Sequence, residues 1–156
     1  MSELLTPESL LEMMEGNRRL TVRVVEAFPE EKLFSYKPAE PLRPFAEMVK
    51  EILDIEGGYM RGIALGEWVW APRYKQVNTK QELLAACAEL RSRTLELWPE
   101  VTVERLNTEE KDPFFGGVQT HLSRLTYALE NEIHHRGQGY IYLRLLGIEP
   151  PPFYER

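Results

Sequence analysis

The chain has 156 residues, 43% of them hydrophobic and 28% charged, with a net charge of −6. That length suits one domain with its own core, residues 1–156. Scattered Lys and Arg exclude nucleic acid as the main partner, the single Cys87 excludes an internal disulfide and a cysteine-rich zinc site, and no apolar run is long enough to span a membrane.

The opening Met1-Ser2-Glu3-Leu4-Leu5-Thr6-Pro7-Glu8 is acidic and lacks the basic and apolar regions of a signal peptide, so a cytoplasmic location is expected. Thr6-Pro7-Glu8 starts a first helix: Thr6 can cap, Pro7 suits the first turn, and Glu8 complements the helix dipole. Leu10, Met13, Met14, Val24, Val25 and Phe28 supply its apolar residues, and Pro29 ends it. Pro38, Pro41 and Pro44 mark an extended linker, with Pro44 expected in the first turn of helix two. Phe45, Met48, Val49, Ile52, Ile55 and Tyr59 follow at helical spacing. Gly57-Gly58 reads as a soft spot and Gly66 as the stop.

Residues 67–78 read as a loop held down by Trp68, Trp70 and Tyr74, which wall a pocket or pack into a core or dimer interface. Thr79 with Glu82 forms a capping box for helix three, whose stripe is Leu83, Leu84, Cys87, Leu90, Thr94 and Leu97. Val101-Thr102-Val103 alternates like a strand, and residues 112–117 form a turn anchored by Phe114 and Phe115. Helix four is expected from about Gln119 to Leu146, closed by Gly147 and the prolines at 150–152. Gly137 and Gly139 each weaken that helix unless a neighbouring helix packs closely there. Four long helices with modest connections predict an all-α four-helix bundle.

Chemistry concentrates in Asn131-Glu132-Ile133-His134-His135-Arg136-Gly137-Gln138, which holds two of the three histidines. On an ideal helix His134 points about 100° away from His135, and His121 lies roughly 20 Å of rise before it, so neither shares a site with His135. Glu132 and Arg136 are spaced for an i,i+4 salt bridge, and Gln138 for orienting His135. Asp54 shares a helix face with Glu51, Arg144 binds an anion or pairs with a carboxylate, and Cys87 reads as a buried structural thiol.

Three segments carry a family resemblance. Residues 45–56, Phe45-Ala46-Glu47-Met48-Val49-Lys50-Glu51-Ile52-Leu53-Asp54-Ile55-Glu56, resemble the second-helix segment of the DinB/YfiT-like bacterial bundles. Residues 131–138 resemble that family's His-His-Arg-Gly-Gln signature, and Tyr142-Leu143-Arg144-Leu145-Leu146-Gly147 with Pro150-Pro151 resembles its close. The resemblance implies a DinB-type four-helix bundle with long connections.

Many members hold a divalent metal with three histidines, one on the second helix and two spaced four apart on the fourth. By this resemblance, Glu51, Asn131 and His135 occupy the ligand positions, only His135 being an imidazole. Three readings follow: a remodelled site for Zn, Ni, Mn or Fe; a metal-free pocket in which His135 and Glu51 act as a catalytic acid–base pair; or a structural remnant. The resemblance implies metal-dependent, thiol S-transferase-like or hydrolase-like chemistry on a small electrophile, with a low-molecular-weight thiol as cosubstrate. The alternative is a non-catalytic, stress-associated bundle that dimerises or binds a small ligand without metal. A homodimer is expected on either reading.

Overall fold

Threonine and proline set where the helices begin. In the computed structural model, which describes residues 5–156, helix α1 spans Pro7–Ala27. The expectation for residues 1–4 lies outside the described residues. Thr6 Oγ1 accepts from the Ser9 N–H at 3.1 Å while Ser9 Oγ accepts from the Thr6 N–H at 2.9 Å. These bonds satisfy amides that the first turn would otherwise leave open. Pro29 follows the C-cap Phe28, as expected, but a short helix α2 (Glu30–Ser35) comes next and places Leu33 in the core.

Helix α3 spans Phe45–Leu65, with Pro44 as its N-cap residue rather than inside the first turn. It runs unbroken through Gly57 and Gly58, correcting the soft-spot reading. Small residues here let the following loop lie close: a Cβ on Gly62 would stand 2.2 Å from the Trp68 ring, and one on Gly58 3.4 Å from Trp70. Gly66, at φ 70°, then stops the helix in the left-handed conformation. Helix α4 (Lys80–Leu97) opens on the Thr79–Glu82 capping box and ends in a 3-10 turn at Trp98–Glu100.

The strand-like reading of Val101–Val103 is corrected. Thr102 Oγ1 accepts from the Arg105 N–H at 3.0 Å and starts a short helix, α5 (Val103–Asn107). Strands β1 (Glu109–Lys111) and β2 (Val118–Thr120) pair antiparallel around the 112–117 turn. Asp112 organises that turn by accepting from the N–H groups of Phe114 and Phe115. Helix α6 spans His121–Leu145, two residues later than expected at its start.

Each long helix packs on two others: α3 on α6 and α4, and α1 on α6 and α4. The core has two parts. Val24, Val25, Phe45, Leu83 and Leu143 belong to one; Leu10, Met14, Ile63, Leu97 and Leu125 belong to the other. Helices α1 and α6 begin in the second part and finish in the first, whereas α3 and α4 do the reverse. The bundle is therefore up-down-down-up, and the 66–79 connection must return along its length. Between the two apolar parts lies a buried polar layer: Arg18, Glu56, Arg91, Thr94, Glu132 and Arg136.

Candidate functional site

Glu51 on α3 faces Asn131 and His135, one turn apart on α6. Residues i and i+4 share a helix face, so α6 presents both side chains to the same carboxylate. Asn131 Nδ2 donates to Glu51 Oε1 at 3.2 Å, and His135 Nε2 lies 3.0 Å from that same oxygen. On the far side of the ring, Gln138 Oε1 is 2.8 Å from His135 Nδ1, the orienting contact its spacing suggested. The His135 side chain is 8% exposed and that of Glu51 31%, so the cluster opens to solvent through the carboxylate.

Arg43 completes the cluster. Its Nη1 donates to Glu51 Oε2 at 2.6 Å. Tyr142 Oη fixes the Arg43 backbone by donating to its carbonyl at 2.8 Å. Burial raises the cost of ionising Glu51, but the hydrogen bonds from Arg43, His135 and Asn131 outweigh it and hold the carboxyl below its usual range. The residue reading of the sequence did not single out Arg43. It sits between Pro41 and Pro44 in a connection without periodicity; a basic residue one short stretch before the carboxylate-bearing helix was the only available signal.

The other candidates separate from this cluster. His134 is exposed, and its ring stands at 63° to that of His135. His121, expected to be an unremarkable residue at the helix start, is completely buried: Arg124 Nη1 lies 2.9 Å from its Nδ1 and Trp68 stacks on its ring. Burial and then the Arg105 charge push its pKa down. Glu132 and Arg136 do not form the expected i,i+4 pair. Glu132 accepts from Arg18 Nε at 2.9 Å, and Arg136 donates to the Asn17 carbonyl and side-chain oxygens at 3.1 and 2.9 Å. Both turn toward α1 because the buried charge of Arg18 competes for the carboxylate. Arg144 is exposed. Cys87 is buried, and desolvation pushes its thiol up to about 11, so it is a poor nucleophile at neutral pH.

A cleft of about 250 Å³ adjoins the cluster, lined by Glu51, Lys50 and Asp54 on one side and by Trp70, Pro72 and Tyr74 on the other. Asp54 accepts from the Arg73 N–H at 3.0 Å, and burial raises its pKa. Among the described residues, no three or more His, Cys, Asp and Glu side chains gather as a metal-binding group. The arrangement of Glu51, Asn131 and His135 does not fit a divalent ion as it stands. The guanidinium of Arg43 already balances the carboxylate charge, and Asn131 turns its amide N–H₂, a donor, toward Glu51.

Comparison with known proteins fits this architecture. The DinB family model matches residues 1–156. An uncharacterized Bacillus subtilis (strain 168) protein, YjoA, is 30% identical over 143 residues, covering 90% of this chain and 91% of that one. The crystal structure of YjoA, a DinB-like protein, superposes with a TM-score of 0.74 at 28% identity, covering 94% of this chain and 97% of that one. A DinB-like protein from Bacillus cereus superposes with a TM-score of 0.76 over 96% of this chain and 98% of that one; at 20% identity it supports the fold alone. No helix among the described residues is long and apolar enough to cross a membrane.

Proposed function

Because this chain belongs to the DinB family, we propose that it is a metal-independent member that binds a small polar ligand in the cleft beside Glu51. The observation that carries this reading is the Arg43–Glu51 contact at 2.6 Å. A guanidinium supplies the positive charge that an ion would otherwise supply, and it leaves His135 and Asn131 as hydrogen-bonding partners of the carboxylate. Trp70 and Tyr74 offer aromatic walls, while Glu51 and Asp54 offer acceptors. A small ligand carrying hydrogen-bond donors on a planar body suits that lining. Every oxygen of Glu51 already accepts a hydrogen bond and its pKa is lowered, which makes it a weak proton acceptor. Binding is therefore better supported than acid–base catalysis.

A second reading rests on Asn131 Oδ1, which is buried without a partner among the described residues. Rotating that amide would bring an oxygen to the side facing Glu51 and His135, and this donor set suits Mn, Fe or Zn at low affinity. Under that reading the protein is a metal-dependent, thiol S-transferase-like or hydrolase-like enzyme acting on a small electrophile, with a low-molecular-weight thiol as cosubstrate.

Metal content separates the two. Untagged protein is loaded in turn with Mn, Fe, Ni and Zn, and bound ions are counted by native mass spectrometry beside a His135→Ala variant. The metal-independent reading expects no retained ion in either protein. About one ion per chain, lost in His135→Ala, overturns it and makes thiol-transfer assays the next step. The double substitution Glu51→His with Asn131→His supplies the positive control, because three imidazoles then converge and tight Zn or Ni binding is expected.

A further inference from the structure

The outward face of α6 differs from those of α1 and α4. On α1 and α4 the exposed positions are chiefly charged, such as Glu12, Arg19 and Glu26, and Glu89, Arg93 and Glu96. Met13 and Leu95 interrupt them singly. On α6, Ile133 and Ile141 are 44% and 60% exposed and stand four residues either side of Gly137. Residues i and i+4 stack along one face, so the three form a continuous ridge, and Leu145, also exposed, extends it. An apolar stripe at that spacing normally faces a core or another helix.

Gly137, at the middle of the ridge, has no packing reason within the chain. Every other glycine inside a helix among the described residues, from Gly16 against Arg156 to Gly139 against Phe45, would bring a Cβ within 4 Å of a side chain. A Cβ on Gly137 would meet nothing within 4 Å. In the isolated chain that glycine only costs helix stability, roughly 1 kcal/mol relative to Ala. The charges follow the same symmetry. Glu130 and Arg144 lie seven residues either side of Gly137, nearly two full turns, and so share its face. Both are exposed, and neither side chain joins an ion pair among the described residues.

We propose that α6 packs antiparallel on the α6 of a second copy of this chain, about a two-fold axis at Gly137. Such an axis brings together residues equally far before and after Gly137. Ile133 then meets the partner's Ile141, and Glu130 meets the partner's Arg144. A two-fold contact requires a surface complementary to itself, and the symmetric order Glu130, Ile133, Gly137, Ile141, Arg144 supplies one. A partner of different sequence would need no such symmetry. Glycine at the crossing lets the two axes approach to the low end of the usual range of about 8–10 Å. One helix face is a small interface, so association is weak, and the charges fix orientation more than affinity. This surface shares no residue with the cleft beside Glu51, so either can fail without the other.

Analytical ultracentrifugation of the full chain from about 1 μM to about 1 mM should show a reversible monomer–dimer equilibrium with a Kd of about 100 μM or tighter. Ile141→Ser, Glu130→Arg and Arg144→Glu each change an exposed side chain, so circular-dichroism melts at the dilute end should match the parent. Each should raise the Kd at least about fivefold, the two charge variants by setting like charges against one another at both ends of the contact. Mixing Glu130→Arg chains with Arg144→Glu chains restores opposite charges at both ends, and the mixture should associate as tightly as the parent. Three results overturn the proposal: a chain still monomeric at about 1 mM, unaltered association of Ile141→Ser or of either charge variant, or a mixture no tighter than its components.

Discussion

Two arginine–glutamate contacts in this molecule are both 2.6 Å long and mean different things. Arg18–Glu56 lies in the layer between the two apolar cores, its side chains 6% and 4% exposed. Arg43–Glu51 lies at the bundle edge, its side chains 47% and 31% exposed. Helix α6 serves both from a single turn: Glu132 turns to Arg18, and Asn131 and His135 on either side of it turn to Glu51. Distance alone therefore does not tell a structural charge from a functional one; burial does. A pair removed from water tolerates no missing member, whereas a wet pair can exchange partners with a ligand.

Arg18→Met should have the largest effect. It leaves Glu56 and Glu132 buried without their shared cation, and a loss of about 3–5 kcal/mol in urea unfolding is expected. A loss no larger than that of an exposed pair would end the distinction. The same network sets an acid limit. Burial disfavours ionised Glu56, but the Arg18 and Arg91 charges overcome this and hold it at about 2, against an ordinary 4.5. The folded-state pKa is depressed, so the stabilisation is complete above pH of about 4.5 and is lost as pH falls toward about 2. The urea midpoint should drop across that window, and Glu56→Gln should flatten the drop.

Glu51→Gln is the smaller perturbation. Its partners Arg43 and water remain available to one another, so the expected loss is at most about 1 kcal/mol, read from the same urea titration. Its folded pKa is also lowered, so its contribution too is present above the ordinary carboxylate value and fades on acidification. Ligand binding in the adjoining cleft should fall far more than stability does. If both fall together, the Glu51 cluster is structural after all.

The four long helices were legible because their signals are local: Thr6 and Thr79 cap, Gly66 stops, and apolar residues repeat at the helical period. Thr102 misled because a three-residue alternation carries less information than one hydroxyl able to cap. Gly57 and Gly58 misled because propensity describes an isolated helix, whereas Trp68 and Trp70 determine what space exists beside this one. The Glu132–Arg136 spacing was correct and the pairing was not, since nothing within α6 announces Arg18, 114 residues earlier in sequence. Arg43 escaped for the same reason: its partner is fixed by how a connection folds back, not by any repeat.

The smallest expected effect has the opposite sign and concerns the stretch of α6 that follows Asn131, Glu132, His135 and Arg136. Gly139 cannot accept a side chain, because a Cβ there would stand 2.6 Å from Phe45. Gly137, two residues earlier, is exposed and has nothing within 4 Å of its would-be Cβ. Gly137→Ala should therefore stabilise the fold by roughly 0.5–1 kcal/mol, chiefly by narrowing the unfolded ensemble. Thermal melting reads the gain, and NMR reads whether the His135–Gln138 contact that brackets residue 137 is disturbed. Higher stability with an unchanged His135 environment would mean that the edge cluster is held by its own hydrogen bonds. A gain in stability accompanied by a rearranged His135 would mean that glycine flexibility in α6 keeps the site open, and the edge cluster would then depend on the helix as closely as the buried one does.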